Sequence, residues 1–206
     1  LDKVEYTLYE VFHSDRSQPR IVSSVLTEAR YPGIQIGYGH INLAGIELYL
    51  KEQSQWVSPS QVLQQRLDRV IHEDFDVVLL DCPPSLSILT FNALACSSGY
   101  LIPVKAMDRY SLMGMSQLQR VIRSVQEFLN PALRLLGVLI TMYDKRTTLS
   151  RVMAEEIKVY FGEQKVFRSL IHQNVETARA TYNNKAVVLA DGSATGAKNY
   201  LELTDE

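Results

Sequence analysis

In this sequence of 206 residues, the residue best placed to do chemistry is an aspartate that closes an aliphatic run. Asp74-Phe75-Asp76 leads into Val77-Val78-Leu79-Leu80, and Asp81-Cys82-Pro83-Pro84-Ser85 follows. Consecutive aliphatics without polar alternation predict a strand buried on both faces, as in a parallel sheet. In open α/β sheets ligands bind beyond the carboxyl ends of the strands, which is where Asp81 stands. A carboxylate there can hold a magnesium ion, often through water, beside a nucleotide phosphate. It can equally cap a helix that begins near Pro84, and spacing alone leaves both readings open.

Other stretches could share such a site. Thr141-Met142-Tyr143-Asp144 follows a second buried strand, expected over Leu135 to Thr141. Ile171-His172-Gln173-Asn174-Val175 carries a lone histidine, which more often packs or sits at the surface than catalyses. Between Lys145 and Lys185 eight basic residues face four acidic ones. That excess could neutralise phosphates without reading sequence, although a mixed solvated surface gives the same pattern. The net charge of −2 advertises no nucleic-acid partner for the chain as a whole. Cys82 and Cys96 form no Cys-x-x-Cys pair and have no histidine cluster beside them, which argues against a zinc site and for a reduced, cytosolic setting. No apolar run approaches the roughly 18 residues needed to cross a membrane.

The elements that must position these groups alternate between helix and strand. Short helices are expected over Tyr6 to Phe12 and Leu43 to Gln53, with a turn at Tyr31-Pro32-Gly33 before a strand at Ile34 to Tyr38. Ser58-Pro59-Ser60-Gln61 reads as a capping box opening one helix, with Val62, Leu63, Leu67, Val70 and Ile71 as its apolar stripe. A helix over Leu86 to Cys96 and a strand over Tyr100 to Val104 come next. The longest helix spans Ser111 to Leu129 and turns Leu112, Met115, Leu118, Val121, Ile122, Val125 and Phe128 inward. A helix over Thr147 to Phe161 buries Leu149, Val152, Met153, Ile157 and Phe161, and Gly162 ends it. Val166-Phe167 begins an edge strand, Val187-Val188-Leu189 forms a last short strand, and Thr195 to Leu203 forms a C-terminal helix. This alternation is the mark of a doubly wound, mostly parallel α/β sheet, expected as one domain over residues 1–206.

The run Asp81-Cys82-Pro83-Pro84-Ser85-Leu86-Ser87-Ile88-Leu89-Thr90-Phe91-Asn92-Ala93-Leu94 resembles the Walker B and switch region of the ParA/Soj/MinD ATPases, most closely the ParA/Soj partition branch. The likeness continues through Leu101-Ile102-Pro103-Val104, Gly137 to Asp144, Arg146 to Ser150 and Ser193 to Tyr200, and so covers essentially the whole chain in one order. It implies a P-loop NTPase fold, ATP and Mg²⁺ as cofactors, and a nucleotide-switched homodimer. Such a dimer binds DNA non-specifically and is stimulated by a ParB-like centromere-binding partner. By resemblance Asp81 lies near the metal, Pro83 and Pro84 form the switch backbone, and Thr141, Met142 and Asn174 lie on the adenine side. Lys145, Arg146, Arg151, Lys158 and Arg168 are the candidate DNA contacts. The family implies a cytoplasmic, nucleoid-associated protein with no membrane contact.

The sequence departs from the family's pattern in one large respect. The family's site begins with a glycine-rich, lysine-containing phosphate loop, followed by a strand ending in an Asp-x-Asp-Pro-Gln-like motif. Neither stretch occurs here. The expectation is therefore a P-loop fold without its first strand, phosphate loop and second strand, with no complete catalytic set and no nucleotide bound by this chain alone. Smaller departures are Ser87 for a glycine, His172 for a proline, Gln173 for an arginine, Arg179 for a glutamate, Thr181 for a proline and Asn184 for a glycine. The alternatives are a non-catalytic remnant or interaction module that keeps the ParA fold, or a MinD-like ATPase. The basic amphipathic membrane helix of MinD-like proteins is not seen at the end of this sequence.

Overall fold

Two compact units emerge from the contacts of the chain, and neither is a continuous stretch of sequence. The first comprises Leu1–Ser97 and Val121–Leu133, the second Ser98–Arg120 and Arg134–Glu206. The computed structural model describes residues 4–14, 17–53, 58–107 and 114–206.

The first unit is mostly helical. Helix α1 (Leu8–His13) opens on a capping box in which Thr7 Oγ1 accepts from Tyr9 N and the Glu10 carboxylate accepts from Thr7 N at 2.6 Å. Strands β1 (Leu26–Glu28) and β2 (Gln35–Gly37) pair antiparallel. Gly33, in the turn between them, has φ +77°, a conformation that costs an L side chain energy but not glycine. Helices α2 (Ile46–Glu52), α3 (Val62–Arg66), α4 (Arg69–Glu73) and α5 (Ile88–Cys96) complete the main framework. Val11, Phe12, Val25, Ile46, Leu50, Leu63 and Ile71 form its core.

Three expectations fail in this unit. Ser58 makes no capping hydrogen bond, and Gln61 Nε2 turns to Gln64 at 3.5 Å instead. The helix expected after it breaks in two at Leu67-Asp68. There the Asp68 carboxylate accepts from Ser23 N at 3.2 Å and Ser23 Oγ at 2.6 Å, a distant pairing that no local signal announces. The third failure is the central strand. Val77 to Leu80 belongs to no strand, and Leu79 is 89% exposed. An apolar run is buried only where neighbours cover it, and among the described residues no strand pairs with this one.

The second unit is built on two parallel strands, β3 (Gly99–Lys105) and β4 (Arg134–Thr141), joined by helix α6 (Met115–Phe128), whose residues are divided between the two units. Parallel neighbours require such a crossover. Helix α7 (Thr148–Phe161) lays Met153, Ala154, Ile157 and Phe161 on Ile102, Val104, Val138 and Ile140. Each large aliphatic buried in this way contributes roughly 1.5–3 kcal/mol. Thr147 caps α7 by accepting from Ser150 N at 3.2 Å, and Gly162 ends it at φ +89°. Gly137 is needed for close approach, because a Cβ there would run into the Phe167 ring. Helices α8 (Val175–Tyr182), α9 (Val187–Ala190) and α10 (Thr195–Asp205) follow.

Several expectations for the later elements also change. Val187 to Leu189 is a helical turn rather than a strand, closed locally by Ala190 N donating to Ala186 O. Val166 makes one isolated bridge to Val138 rather than an edge strand. Leu149 and Val152 are each 48% exposed, because α7 turns the face of Ser150, Met153, Ala154, Ile157 and Phe161 inward instead. Phe128 lies outside the core at the end of α6. Leu112 falls outside the described residues.

Candidate functional site

The predicted site residues fall into two groups, Asp81, Pro83 and Pro84 in the first unit and Thr141, Met142 and Asn174 in the second. In the first group, residues 81–86 are all exposed and belong to no helix or strand. The capping alternative for Asp81 fails, since α5 begins at Ile88 with Ser87 as its N-cap residue. Asp81 makes no hydrogen bond or ion pair among the described residues. Its charge, after burial, helps to push the Cys82 thiol upward. The turn beyond it is stabilised locally, with Ser85 N donating to Pro83 O at 2.7 Å and Thr90 Oγ1 to Ser85 O at 2.6 Å. Among the described residues no group of three or more His, Cys, Asp or Glu could enclose a metal ion. A lone carboxylate suits magnesium, which keeps waters and substrate phosphates in its shell, and suits neither zinc nor calcium.

The second group gathers at the carboxyl end of β4. Thr141 O accepts from Ala106 N at 2.9 Å, which keeps the two strands together to their ends. Met142 has φ +53° and is 40% exposed. A left-handed backbone is uncommon in a residue other than glycine and marks a chain forced to turn sharply. Tyr143 N then donates to Ile171 O at 3.1 Å, and Gln173 N to Tyr143 O at 3.0 Å. These bonds bring the two stretches singled out in the sequence side by side. Asn174 caps α8, its Oδ1 accepting from Glu176 N at 2.7 Å and Thr177 N at 3.3 Å.

Next to this edge the Arg146 guanidinium grips Asp144 at 2.9 and 3.0 Å. The Arg146 side chain, aided by its backbone N–H, holds the Asp144 carboxyl down at about 2. Two of the family departures are absorbed locally. Asn184 has φ +52°, and asparagine is among the few L-residues that adopt this readily in place of glycine. Arg179 pairs with Glu176 at 3.0 Å along α8.

The candidate DNA contacts differ in their freedom. Arg146 is held by Asp144, and Lys158 by Glu155 at 2.9 Å. Lys145 and Arg151 are exposed, and among the described residues neither has an acidic partner. Arg151 Nη2 reaches only Thr148 Oγ1, at 3.4 Å. Arg168 is exposed, its backbone N–H bound to the Glu206 carboxylate at 2.8 Å. Two features of this region had no sequence signal. They are a bond between His172 and Asn199, and the grip of Glu206 on Arg168 N and Ser169 N.

The family described as an AAA domain matches residues 1–135. The sporulation initiation inhibitor protein Soj of Bacillus subtilis is 36% identical over 203 residues, covering 98% of this chain and 76% of that protein. The chromosome partitioning protein ParA of Caulobacter vibrioides is 34% identical over 201 residues, covering 97% and 72%. The chain belongs to the ParA/Soj family of partition ATPases.

Solved structures place the fold among the P-loop NTPases. Cobyrinic acid a,c-diamide synthase of Mycobacterium smegmatis, solved with a bound ATP analog and magnesium, matches with a TM-score of 0.77 at 30% identity. The match covers 99% of this chain and 72% of that one. Apo McdA of Cyanothece matches at 0.80 with 15% identity, a likeness of fold alone. The α/β class with parallel strands thus holds. Among the described residues no helix is long and apolar enough to cross a membrane.

Proposed function

We propose that this chain carries the Walker B, switch and base-side parts of a partition ATPase domain spanning residues 1–206. The observation that carries the reading is Asp81, an exposed carboxylate without a partner among the described residues. It directly precedes an exposed, irregular proline-containing turn. Asp81 would hold Mg²⁺ through water, and the metal would neutralise charge on the nucleotide phosphates. Pro83 and Pro84 limit the shapes the turn can take. Thr141, Met142 and Asn174 frame the base side. In this reading ATP closes a homodimer in the cytoplasm. The dimer binds nucleoid DNA non-specifically through Lys145, Arg151 and neighbouring basic side chains, and a ParB-like partner triggers hydrolysis.

The 206 residues contain no glycine-rich, lysine-containing phosphate loop. Such a loop supplies the backbone amides and lysine that hold the phosphates, so these residues alone bind no Mg-ATP. The test is reconstitution. The phosphate-loop segment of the Bacillus relative is fused before Leu1, and the mass of the product is followed by analytical ultracentrifugation with and without Mg-ATP. The partition reading expects a nucleotide-dependent dimer that Asp81→Ala and Asp81→Asn both abolish. A fusion that stays monomeric with ATP, or a dimer indifferent to Asp81, rejects it in favour of a module that keeps the fold without the switch.

A further inference from the structure

We propose that Asn199, on helix α10, is a positioning residue. It holds the loop 171–174 by fixing His172 in one ring tautomer. Ile171 O and Gln173 N both bond to Tyr143, so the alternate residue, His172, turns its N–H away from that bridge. A half-buried N–H without an acceptor is costly. Asn199 Oδ1 meets it at 3.2 Å, and the same oxygen lies 3.0 Å from His172 Nδ1.

The chemistry of this contact leaves one arrangement. A backbone N–H can only donate, so the Asn199 amide must turn its oxygen toward His172, and its Nδ2 points to Glu202 Oε2 at 3.4 Å. An amide oxygen can only accept, so Nδ1 must carry a proton. The neutral ring then keeps its lone pair on Nε2. Asn199 is 6% exposed, so water does not readily replace it. Tyr143 packs against the imidazole with ring centroids 5.4 Å apart and planes at 79°.

Helix α10 therefore reaches back to the residues that precede Asn174, the cap of α8. A second anchor lies two turns further along, where the Glu206 carboxylate accepts from Ser169 N and Ser169 Oγ at 2.9 Å each. The importance of the loop for nucleotide rests on the proposed base-side reading. The Asn199 contact itself does not.

The test uses the 206-residue chain. Histidine side-chain ¹⁵N NMR at about pH 8, where an ordinary imidazole is neutral, should show His172 protonated on Nδ1. Protonation on Nε2 overturns the proposal without any variant. Amide hydrogen exchange then separates positioning from general stability. Asn199→Ala should speed exchange at Gln173, Glu176 and Thr177 by about tenfold or more relative to amides of β3 and β4. Asn199→Asp combined with Glu202→Gln keeps the acceptor without setting two carboxylates against each other, and should hold exchange near wild type. His172→Pro removes the N–H that needs an acceptor. Combined with Asn199→Ala, it should bring exchange back to within about threefold of wild type. Unchanged exchange in Asn199→Ala overturns the proposal, as does lost protection in the Asn199→Asp, Glu202→Gln variant or a further loss in the Asn199→Ala, His172→Pro variant. No readout involves nucleotide, so failure of the base-side reading would leave these results standing.

Discussion

Replacing Asn92 with alanine tests how the helix behind the Asp81 turn is held. Asn92 is fully buried in α5. Its Oδ1 accepts from Leu63 N at 2.9 Å, and its Nδ2 donates to Pro59 O at 2.7 Å and Ile88 O at 2.8 Å. Leu63 N lies in the first turn of α3, where the helix offers it no partner. A typical hydrogen bond contributes about 1 kcal/mol net, and a buried group left bare costs roughly 1–3 kcal/mol. Ile88 O also lies within reach of the α5 backbone, so the main losses are the Leu63 and Pro59 contacts. Asn92→Ala should therefore cost about 3–5 kcal/mol, a large part of the roughly 5–15 kcal/mol that holds a domain folded. With a urea slope of about 2 kcal/mol per molar, the midpoint should fall by roughly 1.5–2.5 M, read by far-ultraviolet circular dichroism. Asn92→Asp should be at least as damaging, since a carboxylate oxygen would face the Pro59 and Ile88 carbonyls. A midpoint shift below about 0.5 M for alanine, or a near-native aspartate variant, would show that these bonds do not dock α5.

Three further predictions follow from single contacts. The Asp144 carboxyl is lowered from an ordinary value near 3.8 to about 2, so its contribution to stability is complete above pH 3.8 and lost as the pH falls through about 2. An NMR titration should find that midpoint, and Arg146→Gln should return it toward 3.8; a midpoint unmoved by the substitution would assign the shift elsewhere. Ser87 Oγ is buried without a hydrogen-bond partner among the described residues and makes no capping bond to α5, so Ser87→Ala should raise stability by about 1 kcal/mol, and a lower melting temperature would contradict this. In the reconstituted, ATP-bound protein, Arg151→Glu should weaken DNA binding equally on all sequences and flatten its salt dependence. Lys158→Glu should do less, because Lys158 is already paired with Glu155, and equal effects would mean that this pair opens on DNA.

Local signals made part of this protein legible without coordinates. The period of apolar residues marked α6 and α7, and Gly162 marked the end of α7, because helix faces and left-handed caps are written within a few residues. The order of motifs around Asp81 and after β4 was enough to point to the family. What depended on partners far along the chain stayed hidden. Val77 to Leu80 reads as a buried strand by hydrophobicity alone, but burial and pairing need neighbours, and no described strand lies beside it. Asp68 breaks a helix because Ser23 takes its carboxylate from 45 residues away. Asn92 bridges to Leu63 and Pro59 across 29 and 33 residues, and Asn199 to His172 across 27. An asparagine announces neither its burial nor its partner, since the same side chain serves equally well in water. The tertiary structure decided that Asn92 ties α5 to α3 and that Asn199 braces the loop before Asn174. Only folding brings such a donor and acceptor together away from solvent, where leaving either one unpaired is costly.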